Sequence, residues 1–224
     1  MISLAAAAVF FVGIHLFIAG TRLRDSLVSS IGEIPYLGVF SLLSFAGIWW
    51  LSSARSSAGM ISLWGSPDAF APVAYVLMLV AFVMVVVGLT TKSPTAMGGE
   101  AELDSEEPVR GILRITRHPF LWGVALWALT HVIANGDLAS LIFFGALGGL
   151  ALAGPASIDA KRARKHGERW ERFAAASSNL PFAAIASGRN RLVLGELGLP
   201  QTAAALVAYG LVLYFHGSIF GEVP

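Results

Sequence analysis

Residues 109–137 read V-R-G-I-L-R-I-T-R-H-P-F-L-W-G-V-A-L-W-A-L-T-H-V-I-A-N-G-D, and this stretch decides the fold. It opens with three cations at near-helical spacing: Arg110, Arg114 and Arg117. Charged side chains then disappear at His118, and an apolar run follows. The pattern predicts a basic segment at the membrane surface that leads directly into a spanning helix.

The apolar run has clear start and stop signals. Proline suits the first turn of a helix, which places Pro119 at its beginning. Glycine suits the residue that follows a helix, as Gly136 does here. We therefore predict a membrane helix over residues 119–135, with His118 at its mouth and His131 deep inside. Ionisable groups at such depth are costly and usually functional.

The composition of the whole chain agrees with a membrane protein. Mean hydropathy is +0.72, and 13% of the residues are charged, against about 25% in soluble domains. The net charge of +1 provides no basic field, so we expect no nucleic-acid partner. The chain has no cysteine, which excludes thiolate nucleophiles and metal centres ligated by cysteine.

The chain reads as one domain over residues 1–224, an all-α polytopic membrane bundle. A spanning helix needs about 20 mostly apolar residues. Six segments qualify, the second and fourth of them short: 2–20, 36–53, 70–90, 119–135, 138–157 and 200–220.

The distribution of cations predicts the orientation. If the N-terminus lies outside, the cytoplasmic loops are residues 21–35, 91–118 and 158–199. These loops contain fourteen of the 15 Lys and Arg residues, and only Arg55 falls elsewhere. Since cytoplasmic loops of membrane proteins are enriched in Lys and Arg, we predict N-out and C-out.

Two of these loops have distinct compositions. Residues 91–108 are acidic and rich in Pro and Gly, which predicts a mobile connector. Residues 159–176 are basic, with Trp170 and Phe173 on neighbouring turns. This pattern predicts a helix on the anionic cytoplasmic leaflet, or else a solvated extension of the fifth span.

Histidines are the main candidates for chemistry. An ideal helix advances about 100° and rises about 1.5 Å per residue, so His131 lies about 20 Å from His118 along the axis and points elsewhere. Depth alone favours two pairs, His15 with His118 and His131 with His216. Such imidazoles either ligate a metal or haem, or bond to a nearby carbonyl. No motif for hydrolytic or phosphoryl chemistry occurs.

Several segments resemble the NnrU family of bacterial membrane proteins. They are residues 111–137, the opening G-I-H-L-F-I-A-G with the later G-E-I-P-Y-L-G-V-F-S-L-L-S, and A-K-R-A-R-K-H-G-E-R-W-E-R-F. The resemblance covers residues 10 to about 189 and implies a role linked to denitrification or nitric oxide, at the bacterial inner membrane.

The family includes a carotene-isomerase branch whose members are haem b membrane enzymes. Its histidine ligand in the first span matches His15, and its ligand in the W-x-x-x-H stretch matches His131. The resemblance thus implies His15 and His131 as iron ligands, with His118 in reserve. Ala128 stands where the isomerases have a cysteine, so a redox-linked switch to a thiolate ligand is absent here.

A more distant resemblance is to isoprenylcysteine and phospholipid methyltransferases. It rests on the R-H-P motif at Arg117 and His118 and on H-G-E-R-W-E-R-F at 166–173, and implies S-adenosylmethionine held by Arg117, His118 and Trp170. The paired-Glu motif of those enzymes is missing, since residues 158–161 read I-D-A-K. Methyl transfer is therefore the second hypothesis.

The first hypothesis is a haem b protein with a redox or nitric-oxide-linked role, either as an isomerase-like enzyme or as an accessory factor. In it, Trp127 packs beside the macrocycle, and Arg114 and Arg117 pair with the propionates. Its expected partners are membrane lipids, haem, and a hydrophobic substrate or a reductase. A non-catalytic scaffold that uses residues 159–176 for recruitment is the third hypothesis.

Overall fold

A computed structural model describes residues 1–65 and 67–221, and every regular element in this part of the chain is helical. The elements are α1 (Ile2–Gly13), a π-helical turn (Ile14–Ala19), α2 (Arg22–Ile31), α3 (Glu33–Ser56), a 3-10 turn (Asp68–Phe70), α4 (Ala71–Thr90), 3-10 turns (Glu100–Asp104 and Gly111–Arg114), α5 (Pro119–Asn135), α6 (Leu138–His166), α7 (Glu168–Ala176), α8 (Ala183–Ala186), a 3-10 turn (Leu194–Leu197) and α9 (Leu199–Phe220).

The predicted all-α polytopic membrane protein is confirmed. Within the described residues, five helices are long and apolar enough to cross a membrane: Ile2–Ala19, Glu33–Ser56, Ala71–Thr90, Leu138–His166 and Leu199–Phe220. The sixth apolar helix, α5, has 17 residues and matches the short fourth span of the prediction. It begins at Pro119, and Gly136 follows its end at a φ of 62°, as the sequence signals indicate.

Three boundaries differ from the prediction. The loop expected at residues 21–35 contains α2, which Thr21 caps by accepting a hydrogen bond from the Leu23 N–H. Helix α3 begins at Glu33 instead of residue 36. Helix α6 continues past residue 157 to His166. Its last turns are charged and follow the apolar section from which the end of the span was predicted.

The chain forms two compact units, and the first comprises residues 1–70 and 128–157. Its core joins α1, α3 and the start of α6: Leu4, Ala7, Ala8, Leu51, Ala54 and Ala139. Just after the π-helical turn that continues α1, the Gly20 carbonyl oxygen accepts a hydrogen bond of 3.1 Å from Ser157 Oγ of α6. The start of α1 thus lies beside the start of α6, and Gly20 lies beside a later turn of α6, so α1 with its π-helical turn runs parallel to α6.

The second unit comprises residues 71–127 and 158–224. In it α4 packs on α9, and the Tyr209 hydroxyl donates to the Tyr75 carbonyl oxygen at 3.0 Å. Helix α4 also approaches the beginning of α5 closely. A Cβ added at Gly123 would lie 2.9 Å from the Ala81 carbonyl oxygen, and one at Gly88 would lie 2.8 Å from the Phe120 nitrogen. Only glycine permits this spacing.

The acidic and basic segments of the second unit bind each other. The predicted connector contains a 3-10 turn, and its Leu103 packs with Val109 against Trp170 and Phe173 of α7. These two aromatic side chains are therefore buried inside the unit and are not available as an apolar face for the lipid leaflet. Three ion pairs join the same segments: Glu100 with Arg162, Glu100 with Lys165, and Asp104 with Arg169. The acidic residues cover the basic face that the composition assigns to lipid.

Candidate functional site

His15 lies in the π-helical turn at the end of the first span. Such turns contain an extra residue per turn and often occur at functional sites. The His15 Nδ1–H donates to the Phe11 carbonyl oxygen at 2.7 Å, which fixes the tautomer and leaves Nε2 as the lone-pair nitrogen. No hydrogen bond among the described residues involves Nε2. Phe11 and Phe40 flank the ring at 4.5 and 5.1 Å between centroids.

His131 lies in the last turns of α5. Its ring stacks on Phe144 of α6, with centroids 4.6 Å apart and planes at 28°. Trp127, half-buried, precedes it by one turn of the same helix. Asn135 follows by one turn and donates through Nδ2 to the His131 carbonyl oxygen at 2.9 Å. The His131 ring is thus positioned by Phe144, while Asn135 bonds to its main chain.

The two histidines lie at different levels of the first unit. Gly20 and Ser157 share one level through their hydrogen bond, and His15 lies five residues before Gly20. Phe144, which marks the level of His131, lies thirteen residues before Ser157. The difference of eight residues corresponds to about 12 Å along parallel helices. The pair therefore does not lie at one depth, as the spacing in the sequence also indicates.

Each histidine connects through aromatic rings to an arginine that sequence reasoning did not select. From His15 the rings of Phe40 and Tyr36 lead to the Arg24 guanidinium, 5.5 Å from the Tyr36 centroid. Only the helical periodicity of these aromatic residues could have indicated this arrangement.

The second arginine is Arg55, the single cation outside the predicted cytoplasmic loops. Its guanidinium lies 5.5 Å from the Phe144 centroid, on the ring that His131 stacks on. One terminal nitrogen donates to Ser140 Oγ at 3.0 Å, while Nε is buried and has no hydrogen-bond partner among the described residues. Its isolated position in the charge pattern is the signal that could have identified it.

His118 forms a buried cluster in the second unit. Its side chain is 1% exposed, and its Nε2 lies 2.7 Å from Asp159 Oδ1. Arg117 donates to Asp159 Oδ2 through both Nε (2.9 Å) and a terminal nitrogen (2.6 Å), and its guanidinium lies 5.9 Å from the Trp170 ring centroid. The structure thus brings together the three residues that the methyltransferase resemblance names, around a carboxylate that sequence reasoning missed.

Arg114 also has carboxylate partners. Its Nε and a terminal nitrogen donate to both oxygens of Glu196 at 2.7 and 2.9 Å, and the same terminal nitrogen donates to Glu107 at 2.7 Å. These bonds raise the pKa of Arg114. The Arg114 hydrogen bonds, followed by that from the Gly111 N–H, hold the pKa of Glu196 below its usual range. Arg114 is buried within the protein, with 7% of its surface exposed.

The site residues thus fall into two groups. His15 and His131 belong to the first unit, with Arg24 and Arg55, whereas His118, Arg114, Arg117 and Trp127 belong to the second. Within the described residues, no group of three or more His, Asp or Glu side chains has the arrangement of a metal site.

A sequence model described as NnrU protein matches residues 3–224. The chain belongs to the NnrU family. The match extends over nearly the whole sequence and includes both units.

Two curated relatives share part of the chain. The 15-cis-zeta-carotene isomerase of Zea mays, described as chloroplastic, is 35% identical over 82 residues, and that of Arabidopsis thaliana is 38% identical over 84 residues. Each match covers 37% of this chain and 22% of the relative, so the chain spans about a fifth of their length. No solved structure matches the chain. The NnrU-family protein is thus a multi-pass membrane protein with isomerase relatives.

Proposed function

We propose that this NnrU-family protein binds haem b through His15 and His131 and has a redox or nitric-oxide-linked role at a bacterial inner membrane. This role takes one of two forms: an isomerase-like reaction on a hydrophobic small molecule, or support of a reductase in denitrification. The observation that carries the proposal is the geometry of His15, whose Nδ1–H donates to a main-chain carbonyl oxygen and whose Nε2 makes no hydrogen bond with any described residue.

The donor chemistry of His15 suits a haem iron, whereas joint ligation with His131 requires the two helices to shift from their levels in this structure, which differ by about 12 Å. An imidazole that donates through one nitrogen to a carbonyl presents the other to a metal in a fixed orientation and with raised basicity. The aromatic rings beside His15 and His131 provide the apolar surface that a porphyrin needs. When bound, haem would supply one-electron exchange and an iron site for small ligands such as nitric oxide.

The arginines of the first unit are better partners for propionates than Arg114 and Arg117. Both of the latter already bind carboxylates of the second unit. Arg55 has a buried Nε that no described residue hydrogen-bonds, and its guanidinium lies beside the ring on which His131 stacks. We therefore assign Arg55 to a propionate near His131 and retain Arg24, which is also paired with Glu33 at 3.2 Å, as a second cation of this unit.

The test is the visible spectrum of protein purified from haem-replete cells. The parent should show a Soret band that His15→Ala and His131→Ala both weaken, while His166→Ala, at a cytoplasmic histidine, leaves it unchanged. Arg55→Gln should lower haem occupancy or shift the reduction potential without removing the band. A colourless parent, or a band that survives the double variant of residues 15 and 131, would refute the proposal. Loss of the band in His118→Ala alone would transfer the ligand role to that residue.

A second function is favoured by the cluster around Asp159. Arg117, His118 and Trp170 do come together, as a methyltransferase that uses S-adenosylmethionine would require. Asp159 would then take the place of the missing glutamates. Isothermal calorimetry with S-adenosylhomocysteine distinguishes this function, because it predicts heat that Asp159→Ala abolishes. Absence of heat from the intact parent at sub-millimolar ligand would eliminate it.

A further inference from the structure

The second unit contains a short apolar loop that belongs to none of its membrane-spanning helices and lies between α7 and α8. We name it the 180–182 loop; its residues are Leu180, Pro181 and Phe182. The side chains of Leu180 and Phe182 are 59% and 52% exposed. Water-exposed leucine and phenylalanine side by side are unfavourable, since each loses the free energy of burial. The loop therefore requires an apolar partner.

The position of the loop is fixed by backbone hydrogen bonds to the segment before α5. The Phe182 N–H donates to the Ile115 carbonyl oxygen at 2.8 Å, and the Arg117 N–H donates to the Ser178 carbonyl oxygen at 2.9 Å. Helix α5 enters its apolar run only two residues after Arg117. The 180–182 loop is thus attached at the level where a membrane-spanning segment begins.

The backbone of Phe182 adds a second, independent observation. Among the described residues it is the only non-glycine residue with a positive φ, 64°. Glycine or asparagine adopts this conformation at less cost than a residue with a bulky side chain. The bonds to Ile115 and from the Ala186 N–H at 2.8 Å hold it there. About half of Phe182 is nevertheless exposed, so part of this strained residue is available to a partner outside the protein.

The charges around the loop indicate which partner it has. Arg172, Arg189 and Arg191 flank it in the sequence and are exposed. None of them takes part in the ion pairs of the described residues, unlike Arg162, Lys165 and Arg169. Arg189 donates instead to the carbonyl oxygens of Ala175 and Ser177, close to the start of the loop. Arginine next to exposed leucine and phenylalanine matches the boundary between phosphate headgroups and acyl chains.

We propose that the 180–182 loop inserts into the interfacial region of the lipid bilayer, with Leu180 and Phe182 among the upper acyl chains and the flanking arginines at the lipid phosphates. The loop takes the membrane-contacting role that composition assigns to α7. It depends on neither haem nor S-adenosylmethionine. The lipid contact lies directly beside the entrance to α5.

The absence of cysteine from the sequence allows a direct test. Single variants Leu180→Cys and Phe182→Cys are labelled with an environment-sensitive fluorophore and reconstituted into vesicles that contain phosphatidylglycerol. Ala175→Cys, exposed on α7, is the matched control, and Val207→Cys, on the apolar surface of α9, is the lipid reference. We expect blue-shifted emission at 180 and 182, quenching by spin-labelled lipid, and protection from aqueous iodide. Residue 175 should show the reverse.

Two outcomes would overturn the proposal. Equal quenching by iodide at 180, 182 and 175 would show that the loop is in water. Quenching or cross-linking at residue 182 that rises with the protein-to-lipid ratio would show that a second copy of the chain covers it.

A backbone-compatible variant excludes artefacts of labelling. Phe182→Asn suits a positive φ and should fold as the parent does in detergent, yet it should reduce the lipid quenching of a label at residue 180. Unchanged quenching in this variant would show that Phe182 does not anchor the loop and would refute its part in the proposal.

Discussion

Glu196→Gln tests whether the buried arginine Arg114 is a structural residue. The substitution preserves shape but replaces one acceptor oxygen by an NH2 group that opposes the donors of Arg114. One hydrogen bond to Arg114 is lost, and the other is weakened because it joins the charged guanidinium to a neutral amide oxygen instead of a carboxylate. A bond to a charged group contributes about 1.5–3 kcal/mol and a neutral one about 0.5–1.5 kcal/mol. Because the Glu196 side chain is 29% exposed, solvent screening reduces the expected loss to about 1–2 kcal/mol.

The assay is thermal unfolding in nanodiscs. A loss of this size should lower Tm by about 2–8 °C for a chain of this length. Glu107→Gln is the matched control: its carboxylate also binds Arg114 but is 66% exposed, and we expect a loss below about 1 kcal/mol. Equal stability of Glu196→Gln and the parent, or a larger loss in the control, would refute the reasoning.

The same variant predicts the pH dependence of stability. The folded pKa of Glu196 is lowered from its ordinary value of 4.5. A carboxylate with a lowered folded pKa stabilises the protein above its unfolded pKa, and this contribution is lost as pH falls through the folded pKa. The difference in Tm between parent and Glu196→Gln should therefore be constant near neutral pH and decrease below pH 4.5. A difference that grows on acidification would contradict this sign.

The remaining predictions concern the Asp159 cluster, a close helix contact and the orientation. Asp159→Asn leaves the guanidinium of Arg117, 15% exposed, without a counter-charge and should cost roughly 2–4 kcal/mol, whereas Asp104→Asn, in an exposed pair, should cost less than about 1 kcal/mol in the same unfolding assay. Gly123→Ala should cost about 1–3 kcal/mol because its Cβ meets the backbone of α4, while Gly145→Ala, which faces open space, should be neutral or stabilising. Reporter fusions at the two termini should both be active outside the cytoplasm, and activity inside at either end would refute the N-out, C-out topology.

The signals for the spans lie within each segment and could be read from the sequence. Pro119 and Gly136 bound α5 because proline lacks an N–H and glycine accepts a positive φ, and both constraints are local. The start of α3 was less visible. Proline favours the first position of a helix, but Pro35 is the third residue of α3, after Glu33 and Ile34. The fold class depends on such local signals, and it was predicted correctly.

The chemistry of the side chains depends instead on contacts between distant segments. Arg114 is buried because Glu196, 82 residues later, supplies both oxygens, and His118 meets Asp159 across 41 residues. A single sequence shows the charges but not which of them meet. The ligand roles of His15 and His131, the haem and its partners stay predictions for the same reason, since they require a third component between the side chains.

Ion pairing and orientation depend on the same cations in different ways. The ion pairs among the described residues, all within 4 Å, include seven cations of the predicted cytoplasmic loops: Arg24, Arg110, Arg114, Arg117, Arg162, Lys165 and Arg169. Pairing removes their net charge from the folded surface and with it most of their attraction for anionic lipid. It does not weaken the orientation prediction, because insertion responds to Lys and Arg near the spans while Asp and Glu contribute little. Arg172, Arg189 and Arg191, which we propose contact lipid phosphates beside the 180–182 loop, are among the cations that have no carboxylate partner within the described residues, as are Arg22, Lys92 and Arg164.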